Sequence, residues 1–99
     1  MKILVEKNQE LLLLIGIQGN YPNPFNTLTT IEFDLYSWGF ADLIIYNIMG
    51  QKVATLVDGQ QDAGYHNVIW NSTNLASGVY LYQLQAESHT LTKKLVLLK

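Results

Sequence analysis

From Thr29 onward one pattern recurs: apolar residues at every second position, closed by a cluster of Gly, Asn, Asp or Ser. Ile31, Phe33 and Leu35 alternate with Glu32 and Asp34. Successive side chains of a strand leave opposite faces, so this period of two marks a strand with one buried side. Ala41, Leu43 and Ile45 repeat the pattern, as do His66, Val68 and Trp70, and then Tyr80, Tyr82 and Leu84. That leaves Ile44 facing outward. No stretch sustains an apolar period of 3.6, so no helix is expected. Such segments recur at roughly ten-residue spacing, which predicts an all-β, antiparallel two-sheet β-sandwich of about seven strands. Turns are expected at Ser37-Trp38-Gly39-Phe40, Met49-Gly50-Gln51, Asp58-Gly59 and Glu87-Ser88-His89, with a polar crossover from Asn71 to Gly78. The last strand is expected to run from Thr90 to Lys99, which would hold Lys93, Lys94 and Lys99 on a fixed element.

Ahead of this pattern stands Asn20-Tyr21-Pro22-Asn23-Pro24-Phe25-Asn26, which contains both prolines of the chain. Proline fixes φ, lacks an N–H, and forces an extended conformation on the residue before it. The segment is therefore a stiff elbow that cannot lie inside a central strand. Tyr21 and Phe25 flank it, and both are expected to tuck against the sandwich. Residues 1–19 read as a lead-in. Their apolar run, Leu11 to Ile17, follows Glu6 and Glu10 and precedes no Ala-x-Ala, unlike an export signal. It is also short of the about 20 residues that span a bilayer. It reads as an edge strand or the tail of a linker, which divides the chain into a lead-in over 1–19 and a domain over 20–99.

Composition narrows the chemistry. The six cationic side chains are all lysine, against eight carboxylates, for a net charge of −2. Nucleic-acid binding is argued against, because arginine and a basic face do most of that work. With no cysteine, disulfides and thiolate metal sites are ruled out. His66 and His89 have no clustered ligands nearby, so no metal or cofactor is expected. His66 reads as a partly buried, satisfied histidine. No nucleophile elbow occurs and no carboxylate pair flanks a cleft, so no catalytic residues are assigned. Trp38 and Phe40, expected exposed in a turn, would be the anchor of a sugar-stacking platform if the chain bound carbohydrate. An edge-to-edge homodimer through Ile44 and the Leu11–Ile17 run is a further contact the sequence allows.

Several longer motifs follow one another in order. They are Asn20 to Asn26, Thr29-Thr30-Ile31-x-Phe33-x-Leu35, and Ile45-Tyr46-Asn47-Ile48-Met49-Gly50-Gln51-Lys52-Val53-Ala54. Next come Ala63-Gly64-x-His66-x-Val68-x-Trp70-Asn71, Asn74-Leu75-Ala76-Ser77-Gly78-Val79-Tyr80, and Thr92-Lys93-Lys94-Leu95-Val96-Leu97-Leu98-Lys99. Together they resemble the C-terminal sorting domain of type IX (Por) secretion cargo, type A. The resemblance implies an immunoglobulin-like sandwich carried at the end of a larger exported protein. It implies recognition by the outer-membrane translocon and removal by a sortase-like peptidase as cargo is anchored at the cell surface, with no catalysis by the domain. Carried over by position, the recognition residues would be Pro22, Asn23, Pro24, Gly78, Tyr80, Lys93, Lys94 and Lys99. Removal would fall between Gln9 and Gly19. The layout is also similar to the Ig-like module of flagellar hook-capping proteins, which would make the role structural.

Overall fold

The computed structural model describes residues 1–7 and 10–99, and the side chains of these outside 5–14. Eight strands follow in order: β1 (Lys2–Lys7), β2 (Glu10–Tyr21), β3 (Leu28–Leu35), β4 (Gly39–Asn47), β5 (Lys52–Gln61), β6 (Gly64–Asn71), β7 (Gly78–Ala86) and β8 (His89–Leu97). They form two antiparallel sheets of four, ordered β1-β2-β3-β6 and β5-β4-β7-β8. This is the β-sandwich the alternation predicts, with one strand more than the about seven expected.

The inward sets behave as the period of two requires. Ile31, Phe33 and Leu35 of β3, Ala41, Leu43 and Ile45 of β4, and Tyr82 and Leu84 of β7 are all buried between the sheets. Ile44 is half-buried, because β4 lies between β5 and β7 and its outer face is covered by their side chains. Trp70 is buried at the end of β6, and His66 stacks on Phe33 with ring centroids 5.2 Å apart. His66 Nε2 donates to the Asp62 carbonyl oxygen at 2.6 Å, so the ring is satisfied.

Four local expectations are corrected. Asp58-Gly59 does not turn the chain: both residues lie inside β5, opposite Asp42 and Ala41, and the reversal comes after Gln61. The two register shifts along β4–β5 fall farther on, between Leu43 and Ile44 and between Ile45 and Tyr46. The turn at Ser37 runs from Tyr36 to Trp38, since β3 ends at Leu35 and Gly39 and Phe40 already belong to β4. The final strand stops at Leu97; Leu98 and Lys99 are held by hydrogen bonds rather than by the ladder. Finally, the Leu11–Ile17 run is neither an edge strand nor a linker tail where it meets β3. From Ile15 to Ile17, β2 pairs with β1 or Met1 on one side and β3 on the other, it continues to Tyr21 on β3, and Ile15 and Ile17 are core residues.

The outer face of the second sheet contains a like-charge pair. Asp42 sits directly opposite Asp58. Burial first, and Asp58 second, push the Asp42 carboxyl above the usual carboxylate range, while Lys52 pulls it back. Its Oδ1 is buried without a hydrogen-bond partner among the described residues. The native state thus holds the Asp42 proton more tightly than the unfolded chain, so this group's contribution falls as pH rises through the shifted range. Asp42→Asn is expected to raise stability at pH 7 by about 0.2–1 kcal/mol, the scale of a directly opposed pair. The gain should fade as pH falls toward the ordinary carboxylate range and the wild-type carboxyl takes up its proton. Urea midpoints at pH 7 and pH 3.5 read both effects; an equal gain at the two values would refute the assignment.

Candidate functional site

The elbow sits at one pole of the sandwich, and the structure shows what holds it. Phe25 is buried, with its ring 5.6 Å from Trp70, and Trp70 in turn meets Tyr80 edge-on at 5.7 Å. Aromatic pairs prefer such tilted contacts over face-to-face stacking. The Phe25 N–H donates to Val96 C=O at 3.0 Å, and the Leu98 N–H donates to Phe25 C=O at 2.8 Å. These two bonds form a short parallel bridge to the edge of β8. Asn23 contributes from its side chain, its Oδ1 accepting the Val96 N–H at 3.0 Å.

Either end of the elbow is tied as well. Before it, the Thr29 hydroxyl donates to Pro22 C=O at 2.8 Å, and the Asn20 amide reaches Thr29 Oγ1 at 3.1 Å. After it, the backbone and hydroxyl of buried Ser72 both donate to Thr27 C=O, at 2.9 and 3.0 Å. Thr29 and Ser72 are the buried polar residues of the chain among those described, and both spend their hydroxyls on this segment. Unpaired, each buried hydroxyl would be costly; paired, it fixes one geometry. The peptide bonds Tyr21–Pro22 and Asn23–Pro24 are both cis.

The two flanking aromatics behave differently, which corrects the expectation that both pack inward. Phe25 is 3% exposed and Tyr21 is 78% exposed. A bulge in β2 decides this. Ile17 pairs with Phe33, but the next partner in register is Gly19 with Glu32, so Gln18 is an extra residue. The insertion inverts the phase, and Tyr21 lands beside Thr30 on the outer face. Gly19 supplies the positive φ, +138°, that the distortion uses.

The sequence-predicted site residues fall into three groups. Pro22, Asn23 and Pro24 are exposed at the elbow pole, and exposed Gly78 opens β7 at the same pole. Lys99 joins them: its N–H donates to Ser77 Oγ at 2.9 Å and its ammonium to Thr73 C=O at 2.6 Å. Tyr80 lies beneath that surface as a core residue, its hydroxyl donating to Ala76 C=O at 2.7 Å, so it supports the pole from inside. Lys93 and Lys94 stand apart, midway along β8, opposite Tyr82 and Leu81. Being consecutive on a strand, they leave opposite faces: Lys93 is half-buried, its ammonium near Gly19, and Lys94 is exposed. They do not form one basic patch.

Sequence reasoning passed over Phe25, Trp70, Thr29 and Ser72 as the residues that seat the elbow. The presence of Phe25 and Trp70 was visible, but not their contact, because 45 residues separate the two along the chain. Of the remaining chemistry, no three His, Asp or Glu side chains converge among the described residues. Burial pushes the Tyr82 hydroxyl up to about 12, and it has no hydrogen-bond partner among the described residues. That is a packing feature of the core, since Tyr82 is wholly buried.

A family model described as "Secretion system C-terminal sorting domain" matches residues 20–98, beginning at the elbow and ending beside Lys99. The chain belongs to that family. It is a type IX sorting domain with an all-β sandwich fold. The family is a secretion signal rather than a group of enzymes, and secretion to the cell surface follows from membership. No curated protein matches the chain. In this sorting domain the matched span begins where β2 gives way to the elbow, so the pole described above is the start of the family region.

Proposed function

We propose that this sorting domain directs an attached cargo protein through the type IX outer-membrane translocon to anchoring at the cell surface, and is itself the substrate of a sortase-like peptidase. The observation that carries the reading is the family match over residues 20–98, taken with the elbow pole. Four of the expected recognition residues and Lys99 lie within reach of one approaching partner there: Pro22, Asn23, Pro24 and Gly78 on the surface. Four backbone and side-chain hydrogen bonds to Val96, Leu98 and Thr29 fix the elbow, so a partner meets a preformed shape and spends little on ordering it. Tyr80 contributes by holding Trp70 and the crossover in place, and Lys93, Lys94 and Lys99 supply the cationic contacts.

Release of the cargo was expected between Gln9 and Gly19. Gln9 lies outside the described residues. Within the rest, Ile15 to Gly19 are paired in β2 and buried or half-buried apart from Gln18, a poor substrate for a peptidase, which needs an extended, accessible segment. Glu10 to Leu13 pair with β1 but, unlike Ile15 onward, have no partner in β3, so we place the cut before Ile15.

A reporter with its own inner-membrane export signal, fused ahead of the chain in a type IX host, is expected at the cell surface. A reporter retained in the periplasm would sink the reading. Lys94 and Lys99 are exposed, so Lys94→Glu with Lys99→Glu should leave the fold within ±0.5 kcal/mol of wild type while lowering surface delivery. Normal delivery by the double variant would remove these lysines from the recognition set. The mass of the domain left after release gives the cut directly.

A further inference from the structure

The edge of β8 points to how a partner is bound. Val96 turns both backbone groups away from β7, its N–H to Asn23 Oδ1 and its C=O to the Phe25 N–H, each at 3.0 Å. On an antiparallel strand these directions alternate, so Lys94, Thr92 and Thr90 also turn their N–H and C=O groups to the outside. Among the described residues β8 pairs with β7 alone, and the additional backbone bonds on its other edge stop at Val96 and Leu98. The elbow has therefore begun a fifth strand on this edge, bridging parallel at Phe25 and Leu97, and leaves the rest of the edge unfilled.

Charge says what fits there. Lys93 and Lys94 flank the open edge at one level, one on each face. Edge lysines discourage the addition of an apolar strand, since it would bury an ammonium. A segment with two adjacent carboxylates escapes that penalty, because neighbouring side chains of a strand also leave opposite faces and each would meet one lysine. Of the other edges, β5 is broken by two register shifts and β1 by one, and β6, regular in its pairing with β3, carries no lysine. A second copy of the chain is a poor donor of the acidic pair. Glu32 and Asp34 are two apart on one face and lie in β3, hydrogen-bonded on both sides. β1 and β2 approach β8 from the facing sheet, so entry is from the Lys94 side.

We propose that the open edge of β8 at Thr90, Thr92 and Lys94 receives an extended acidic segment of a partner protein as an added strand. This rests on the sorting reading and names the mode of recognition: backbone pairing for affinity, paired lysines for selection.

The test uses the full chain and the capped peptide Val-Thr-Asp-Glu-Thr-Val. At saturation the Thr92 and Lys94 amides are expected to exchange about tenfold more slowly, as newly paired amides do. Methylating alternate peptide nitrogens should abolish binding. Lys93→Glu with Lys94→Glu should weaken the acidic peptide about tenfold and favour a lysine-substituted one; Lys94→Glu alone, on an exposed side chain, is the variant whose folding is not in doubt. Unchanged exchange at those amides, equal binding of the methylated peptide, or protection along β6 instead would overturn the proposal. So would binding of heparin through the lysines without amide protection, which would mark an anionic-polysaccharide site. Surface delivery of the fused reporter separates the two readings: delivery without peptide binding rejects the added strand alone, whereas retention in the periplasm rejects the sorting role.

Discussion

Replacing Phe25 with alanine is expected to cost about 3–5 kcal/mol, the range for truncating a buried aromatic. The ring is 3% exposed and lies 5.6 Å from Trp70. Its removal opens a cavity beside Trp70, forfeits the aromatic pair, and loosens the bridge to Val96 and Leu98 that the Phe25 backbone makes. Unfolding in urea reads the effect. With a slope of about 1 kcal/mol/M for a chain of this size, the midpoint should fall by roughly 3 M or more, close to abolishing the folded state. Tyr21→Ala is the matched control on the other side of the prolines, and at 78% exposure it should change stability by less than about 0.5 kcal/mol. Comparable losses from the two substitutions would show that the elbow is not anchored by Phe25.

The second large effect concerns the start of the folded unit. Deleting residues 1–14 leaves Ile15 to Tyr21 on β3 and should preserve a cooperative unfolding transition, at a cost that includes Ile3, which is packed on the core. Deleting residues 1–19 removes Ile15 and Ile17, which are 0% and 2% exposed. At about 2–5 kcal/mol for each buried isoleucine, the loss rivals the whole stability of roughly 5–10 kcal/mol expected for a domain of this length. It also strips the ladder from one side of β3. The shorter deletion should give dispersed amide resonances and the longer one a collapsed spectrum. Cooperative folding of residues 20–99 alone would restore the boundary after Gly19 that the sequence suggests.

Both results turn on positions where local pattern and tertiary context disagree. Leu11 to Ile15 is an unbroken apolar run, and an unbroken run carries no period from which a buried face can be read. The role of Ile15 became visible only through its partner strand, β3, whose alternation was plain. Tyr21 and Phe25 are near-equivalent in sequence, one on each side of the prolines. What separates them is the extra residue at Gln18, which inverts the side-chain phase of β2 after Ile17. A bulge of one residue leaves no mark on composition beyond a glycine, and Gly19 is one of seven.

The sequence by itself determined the class of fold, the inward faces of β3, β4 and β7, and the family. Each of these is local or additive: a period of two sets a face, and ordered short motifs need no coordinates to be compared. Tertiary structure alone decided how the elbow is seated. Phe25 meets Trp70, Asn23 caps Val96, and Ser72 serves Thr27 through contacts spanning 45 to 73 residues, which no local period encodes. It also separated Lys93 from Lys94, adjacent in the chain but on opposite faces of β8, and left between them a strand edge whose backbone groups are unpaired among the described residues. Successive residues of a strand leave opposite faces, so two adjacent lysines stand on the two sides of that edge.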